Sequence, residues 1–246
     1  MSLSIVIPSY KRAERVLSKK LVSDPIICVA ESEFGAYKEY NPECEIVTHP
    51  DRVKGLPAKR NWMVKHFGQL FMIDDDVHEF QPQFYPEGVS SANIVNPQLV
   101  RYIIERLHCV SSMLGVSVFG FSDSQRPLFY KPNKPYTMSE RITGCAYGVI
   151  KSPNTFWPSD LVLKEDFWIS GYVKFKERMI LVDKRYAFKQ KDTFINPGGL
   201  AEFRNTDREL EAMLRIKHSF GDCVKIKREG ILKTKQKINI SMSFPF

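Results

Sequence analysis

The sequence predicts an α/β protein in which a mostly parallel sheet is flanked by helices. Two observations support this prediction. Short apolar, β-rich runs recur through the first 73 residues, and polar or helix-compatible segments separate one run from the next. Strands that alternate with helices at this spacing are typical of βαβ units, whose strands lie parallel in one sheet.

In the first half, each predicted element begins or ends at a residue that breaks regular structure. Pro8 ends the first apolar run and Pro50 follows the third, because proline has no amide hydrogen for the next ladder bond. A loop through Gly55 and Pro57 precedes a predicted helix over residues 58–67. The predicted strands are residues 4–7, 25–30, 45–48 and 70–73.

The second half is less regular and ends in a basic segment. Helices are predicted over residues 97–114 and 207–219, and residues 122–139 form a long loop that suggests a functional segment. The predicted strands are residues 116–121, 143–150 and 179–182. We predict one domain over residues 1–206, with a small basic C-terminal extension over residues 207–246 packed on it.

Positive charge is concentrated near the C-terminus. The formal net charge is +8, and residues 184–246 hold 14 lysines and arginines against 7 aspartates and glutamates. Such an asymmetry indicates a polyanionic partner bound at this end of the chain. A solvated basic surface is the alternative interpretation.

Cysteine usage and hydropathy favour a cytoplasmic protein. The five cysteines are widely spaced and include no CxxC pair, so neither a disulfide framework nor a zinc site is predicted. No apolar run approaches the roughly 20 residues that a membrane span needs. The chain begins directly on a strand pattern, and we expect no secretion signal.

Three consecutive carboxylates follow the fourth apolar run, where ligands bind in open parallel sheets. They repel one another, and a divalent cation that carries diphosphate oxygens would relieve that repulsion. Because side chains alternate along an extended segment, Asp74 and Asp76 are predicted on one face and Asp75 on the other. An acidic surface loop that caps a helix is the alternative.

Four segments together resemble the GT-A glycosyltransferases. Residues 4–12 look like the first strand and nucleotide-contacting loop of that family, and residues 72–77 resemble its D-x-D strand end. Residues 54–62 are similar to the segment that starts the intervening helix, and residues 163–167 to the acidic motif near the acceptor. The resemblance covers roughly residues 1–170 and implies a GT-A-type, Rossmann-like fold.

The resemblance also implies roles for the matching residues. Asp74 and Asp76 would hold Mn²⁺ or Mg²⁺, and Glu165 or Asp166 would face the sugar or the acceptor hydroxyl. One of these two would be the general base if the reaction inverts the anomeric centre, whereas in a retaining reaction it would only position the sugar. The residues implied in binding the nucleotide-sugar donor are Pro8, Ser9, Tyr10, Arg12, Arg60, Asn61 and Asp75.

Each implied role has a structural alternative. Arg12 is compatible with a solvated helix start, Tyr10 with the core, and Arg60 with a surface ion pair. Glu165 and Asp166 are also compatible with the first turn of a helix, where negative charge is favoured. Some GT-A enzymes use a late histidine as a third metal ligand, and His218 is the candidate here.

Two basic segments predict a nucleic-acid acceptor. Cations mixed with aromatic residues in the loop over residues 122–139 suit phosphate contact and stacking on an unpaired base. A basic loop that folds over the donor diphosphate is the alternative. The predicted nucleic-acid-binding residues are Arg126, Lys131, Lys134, Lys225, Lys227 and Arg228.

A short, basic GT-A chain also resembles the bacteriophage enzymes that add glucose or arabinose to 5-hydroxymethylcytosine, free or already glucosylated, in double-stranded viral DNA. The resemblance implies a UDP-glucose or UDP-arabinose donor, a location in the host cytoplasm, and sugars that shield DNA from restriction nucleases. One alternative is a GT-A transferase acting on a surface polysaccharide or lipid-linked sugar. Another is a nucleic-acid-binding protein or a nucleotidyltransferase with a two-metal carboxylate site.

Overall fold

The computed structural model describes residues 2–84, 93–124, 126–191, 206–228 and 238–244. Within these ranges the chain forms five α-helices and twelve β-strands. The helices are α1 (Phe34–Tyr40), α2 (Leu56–Phe67), α3 (Pro97–Met113), α4 (Glu165–Glu177) and α5 (Thr206–Phe220). The strands are β1 (Ser4–Pro8), β2 (Ile26–Ala30), β3 (Glu45–His49), β4 (Gln69–Ile73), β5 (Val77–Pro82), β6 (Val118–Phe121), β7 (Tyr136–Thr137), β8 (Ala146–Ile150), β9 (Leu181–Asp183), β10 (Tyr186–Gln190), β11 (Val224–Arg228) and β12 (Ile238–Met242).

The central sheet has eight strands in the order β3-β2-β1-β4-β8-β6-β9-β7. Strands β1, β2, β3 and β4 run parallel to one another, as the alternation of strands and helices predicts. β8 runs antiparallel to both β4 and β6, and its direction was not predictable from its apolar run. The register of β1 with β4 sends the segments after Pro8 and after Ile73 out of the same sheet edge, side by side.

Two glycines set the limits of α2, the helix between β3 and β4. Gly55 has φ 82° before the first turn, and Gly68 has φ 73° after the last. The amide of Gly68 donates to the carbonyl of Val64, so it closes the helix. These positive φ values suit glycine because other residues rarely adopt them. From this helix, Arg60 reaches Asp74, immediately after the end of β4.

Apolar residues cover both faces of the sheet. One layer is built around an aromatic cluster in which Phe71, Phe119 and Phe121 are fully buried. Gly148 in β8 makes this packing possible, because a Cβ there would lie 2.0 Å from Cζ of Phe119. The opposite layer includes buried Tyr147 and neighbouring residues of α2 and α4.

A two-stranded ribbon of β5 and β10 lies beside the central sheet and escaped sequence prediction. Its first strand contains His78, Glu79 and Gln81 between apolar residues, which weakens the apolar signal of a strand. The pairing places Gln190 opposite Val77, the residue that directly follows the three aspartates. The ribbon therefore brings a residue from late in the chain to the end of β4.

The C-terminal segment is not a simple basic tail, because it continues into a hairpin of β11 and β12. Met213 and Ile216 of α5 pack with Val224, Ile240 and Phe167 in one buried cluster. This cluster attaches α5 and the hairpin to α4. The predicted boundary at residue 206 falls at the first residue of α5, and the division into a domain and an extension stays a prediction.

None of the helices in the described ranges is long and apolar enough to span a bilayer. The five cysteines are free thiols, of which Cys28, Cys44 and Cys145 are buried. Burial raises the pKa of Cys28 and of Cys145 to about 12. These two thiols therefore stay protonated at neutral pH and behave as core residues.

Candidate active site

Asp75 joins the segment after β1 to the segment after β4. Its carboxylate accepts hydrogen bonds from the Ser9 hydroxyl and from Nη1 of Arg12, the latter at 2.7 Å. The Ser9 hydroxyl also lies 2.7 Å from the hydroxyl of Tyr37, a residue of α1. Asp75 is only 5% exposed, so this network organises the predicted nucleotide-binding loop from beneath. Pro8 is the last residue of β1, and Tyr10 follows in the loop with Nζ of Lys11 5.0 Å from its ring centre.

Asp74 and Asp76 face a common partner, Gln190. Its Nε2 donates to Oδ2 of Asp74 at 3.3 Å and to Oδ1 of Asp76 at 3.0 Å. Burial raises the pKa of Asp74 well above its ordinary value, with further contributions from Asp76 and other nearby carboxylates. Burial and the charge of Asp75 likewise raise the pKa of Asp76. Two carboxylates held close together in a partly dry site need positive charge nearby.

This pair fits a divalent cation with oxygen ligands. Mg²⁺ is usually bound through one or two carboxylates together with substrate phosphates, rather than by a complete protein cage. The described residues contain no group of three His, Cys, Asp or Glu side chains placed to hold a metal. His218 lies exposed in the last turn of α5, and its predicted role as a metal ligand stays a prediction.

Arg60 links the end of β4 to the start of α4. Its guanidinium has no exposed surface, and its Nη2 lies 3.7 Å from Oδ1 of Asp74 and 3.4 Å from Oε1 of Glu165. Nη1 donates to the hydroxyl of Tyr147, whose ring centre lies 4.9 Å from the guanidinium carbon. The predicted contact of Arg60 with the donor stays a prediction, because the structure gives it carboxylate partners instead.

Asn61 anchors a neighbouring loop. Its Nδ2 donates to the carbonyl of Trp157 at 2.6 Å, and the amide of Trp157 donates back to Oδ1 at 2.9 Å. The backbone of Trp157 therefore binds both the nitrogen and the oxygen of the Asn61 side-chain amide. Its predicted donor contact stays a prediction.

Glu165 and Asp166 form the first turn of α4, where negative charge is favoured by the helix dipole. Lys164 precedes them with φ 65°, a left-handed conformation that directs the chain sharply into the helix. Glu165 is buried beside Arg60, whereas the side chain of Asp166 is 16% exposed. Nη1 of Arg141 donates to Oδ2 of Asp166 at 3.2 Å. Asp166 is therefore the more accessible of the two carboxylates.

Several residues of the site were missed by sequence reasoning. Lys59, one position before Arg60, is 7% exposed and its Nζ donates to the carbonyl of Ser9 at 2.7 Å. Burial lowers the pKa of Lys59. Gln190 and Arg141 lie in segments without any motif, so only the folded chain reveals their partners. Lys59 stood within a recognised segment and could have been singled out there.

The predicted basic residues lie at the surface. Arg126, Lys131 and Lys134 are exposed on the loop between β6 and β7, and Lys225 is exposed on β11. Lys227 and Arg228 belong to β11, but their side chains lie outside the described residues. Their predicted role in binding nucleic acid stays a prediction.

Comparison with known proteins assigns the family. A family model described as TET-Associated Glycosyltransferase matches residues 3–199. The chain belongs to this family. No curated protein sequence matches the chain significantly. The predicted glycosyltransferase class is therefore confirmed at the level of the family.

Solved structures confirm the fold of this TET-associated glycosyltransferase. Residues 1–349 of S. aureus TarS, in complex with UDP-GlcNAc, match with a TM-score of 0.53 and 12% identity, over 89% of this chain and 66% of that chain. The chain therefore spans slightly less than two thirds of the TarS chain. A197 from STIV matches with 12% identity over 78% of this chain and 86% of that chain, but its TM-score of 0.37 is too low to support an argument.

The family match includes every residue predicted to bind the donor or to act in catalysis. These residues lie between Pro8 and Asp166, inside the matched range of 3–199. His218, Lys225, Lys227 and Arg228 lie beyond it. The donor half of the site therefore belongs to the part shared with the family, and the basic C-terminal hairpin lies outside that part.

Proposed function

We propose that the chain transfers a sugar from a UDP-sugar to a hydroxyl acceptor in a metal-dependent reaction, and that the acceptor is 5-hydroxymethylcytosine in double-stranded DNA. Membership of a glycosyltransferase family supports the transfer itself. The UDP-GlcNAc in the TarS complex supports a uridine-diphosphate donor. The basic loop and hairpin support a nucleic-acid acceptor.

The observation that carries this proposal is the bridge made by Arg60. One buried guanidinium lies within 3.7 Å of Asp74 and 3.4 Å of Glu165, two carboxylates that come from opposite sides of the site. The end of β4 and the start of α4 are thus held as one unit. A donor bound at the first and an acceptor bound at the second would meet in fixed orientation.

On the donor side, the loop after β1 is held ready for a nucleotide. Asp75 holds this loop through hydrogen bonds with the side chains of Ser9 and Arg12, and Nζ of Lys59 donates to the backbone carbonyl of Ser9. A divalent cation held by Asp74 and Asp76 would bind the diphosphate and neutralise the charge of the departing UDP. Preorganised polar groups at this point reduce the cost of reorganisation during the reaction.

On the acceptor side, Asp166 is the proposed general base. In the proposed step, the acceptor oxygen forms a bond to the anomeric carbon and the bond from that carbon to the diphosphate oxygen breaks. The acceptor proton passes to Asp166, and UDP leaves. Asp166 suits this role better than Glu165, because Glu165 is buried against Arg60 whereas Asp166 retains exposed surface.

A transfer assay tests the proposal directly. The protein would be incubated with Mn²⁺, with UDP-glucose, UDP-arabinose or UDP-GlcNAc, and with DNA that contains cytosine or 5-hydroxymethylcytosine. Nucleoside mass spectrometry should show a hexose, pentose or N-acetylhexosamine mass added only to the hydroxymethylated DNA. Metal-dependent release of UDP without an adduct would discard the DNA acceptor and keep the transferase. Neither adduct nor UDP release would contradict the donor assignment.

Asp76→Asn is expected to lower the transfer rate by about a hundredfold or more in Mn²⁺ buffer, because it removes a proposed ligand of the cation. The fold should be retained, since the change removes one of three adjacent carboxylates and Gln190 can still bond to the new amide. Transfer kinetics and thermal unfolding would be measured together. Chelation by EDTA should abolish transfer by the unmodified protein, and full activity of the variant would disprove the metal assignment.

A further inference from the structure

A polar cavity lies on the acceptor side of Asp166. It has a volume of about 450 Å³ and opens between the segment of residues 139–141 and the end of β12, with Asp123 on one wall. That volume falls in the range typical of pockets for small organic molecules. Ile240, Met242 and Phe244 add apolar surface to a lining that is otherwise polar.

Arg141, which lines this cavity, connects it to Asp166. Nη2 of Arg141 donates to Oδ2 of Asp123 at 3.2 Å, and its Nη1 donates to Oδ2 of Asp166 at 3.2 Å. The ring of Phe167 lies 4.6 Å from the guanidinium carbon, and Nη1 also contacts the carbonyl of Ile142 at 3.1 Å. Two carboxylates are therefore held side by side, one on the cavity wall and one at the proposed reaction centre.

Each basic segment adjoins residues that line the cavity, one through strand pairing and the other along the chain. Lys225 of β11 pairs with Ser241 of β12, which lines it. The exposed cations Arg126, Lys131 and Lys134 lie on the loop that leads into residues 139–141. Positive charge on two sides would attract the phosphates that flank a base bound within.

We propose that the cavity receives the acceptor base, 5-hydroxymethylcytosine turned out of the DNA stack, and that Asp123 accepts a hydrogen bond from its exocyclic amine. This inference rests on the proposed function. The amine on C4 and the hydroxymethyl group on C5 are neighbours on the ring, and Asp123 and Asp166 are neighbours on one guanidinium. The amine would donate a hydrogen bond to Asp123, and the hydroxyl would face the carboxylate of Asp166.

The chemistry of the carboxylate makes this proposal specific. Aspartate accepts from the amine of cytosine, and Asp123 keeps free acceptor positions beside its bond to Arg141. 5-Hydroxymethyluracil carries the same hydroxymethyl group but presents a carbonyl oxygen at C4, which would face the carboxylate without a hydrogen. Enzymes that carry out chemistry on a base turn that base out of the duplex. The cavity is large enough to hold a single base.

The test compares glycosylation of duplex DNA that contains 5-hydroxymethylcytosine with glycosylation of the same duplex containing 5-hydroxymethyluracil. The unmodified protein should prefer the cytosine derivative in kcat/KM by about tenfold or more. Asp123→Asn should reduce this preference to near unity, because an amide can donate to the carbonyl at C4. Asp222→Asn, which changes an exposed aspartate paired with Lys217, should keep the preference.

UDP release in the absence of DNA serves as a separate readout of the donor half, and the control Asp222→Asn should leave it unchanged. Equal rates on both duplexes with the unmodified protein, or an unchanged preference in Asp123→Asn, would overturn the cavity assignment while transfer to DNA stands. Release of UDP without transfer to either duplex would overturn the DNA acceptor and the cavity assignment together. The two failures are therefore distinguishable.

Discussion

Replacing Asp166 by asparagine is expected to lower kcat for sugar transfer by about 10²- to 10⁴-fold, the usual contribution of a general base. Asparagine has nearly the same shape and can still accept the hydrogen bond from Arg141. It cannot take the proton of the acceptor hydroxyl. The KM for the donor should change little, because the donor residues lie on the other side of Arg60. Steady-state kinetics with varied donor and acceptor would separate these effects.

Asp160→Asn is the matched control for this variant. Asp160 lies six residues upstream in the same connection, and its carboxylate pairs at the surface with Arg215. Surface ion pairs contribute little, so this variant should retain activity and stability. If Asp166→Asn transferred sugar at the normal rate, Asp166 would not be the base, and Glu165 would be tested next by the corresponding change to glutamine.

Replacing Arg60 by methionine is expected to lower the free energy of unfolding by about 3–5 kcal/mol, the typical cost of removing one partner from a buried ion pair. Asp74 and Glu165 would remain in place without their shared cation. Burial raises the pKa of Asp74, and Arg60 opposes that shift. The pKa of Asp74 in the folded variant should therefore lie further above its value in the unfolded chain. The loss in free energy of unfolding, relative to the unmodified protein, should then grow as the pH rises from about 4 to about 7.

Urea unfolding at several pH values, in buffer containing EDTA, would measure this dependence. Arg215→Met provides the control, because Arg215 makes its ion pair with Asp160 at the surface and should contribute less than about 1 kcal/mol. A loss as small as that of the control would mean that Arg60 is not needed to hold the carboxylates. The bridge between the donor and acceptor sides would then lose its physical basis.

The two arginines of the site, Arg60 and Arg141, have parallel roles. Arg60 holds Asp74 against Glu165, and Arg141 holds Asp166 against Asp123. Carboxylates alternate with guanidinium groups from the proposed metal-binding pair to the proposed acceptor cavity. Such an arrangement keeps several acidic groups close together without leaving their charges uncompensated.

Where strands and motifs follow one another closely along the chain, the sequence was informative. The prediction of a strand that ends in Asp74, Asp75 and Asp76 depended only on a local apolar run and the residues after it. The helix predicted over residues 58–67 is observed as Leu56–Phe67, since Gly55 and Gly68 mark its ends. Glu165 and Asp166 do begin a helix, as the structural alternative for these residues predicts, and this position is also compatible with the proposed catalytic role.

Elements with weak local signals could not be predicted. β5 and β10 stabilise each other by pairing across more than 100 residues, and neither has a continuous apolar run. The hairpin of β11 and β12 contains alternating lysines, which made it resemble a basic tail. Its apolar residues Val224 and Ile240 became informative only once they were seen against α5.

The sequence by itself determined the parallel half of the sheet and the segments proposed to bind the donor, because these segments lie next to successive strands. Tertiary structure alone decided the partners of Arg60 and the position of Arg141 and Gln190. It also formed the acceptor cavity, whose walls come from residues 123, 139–141 and 240–244. These segments are distant in the chain, and they meet only because α5 and the C-terminal hairpin bury their apolar faces against α4.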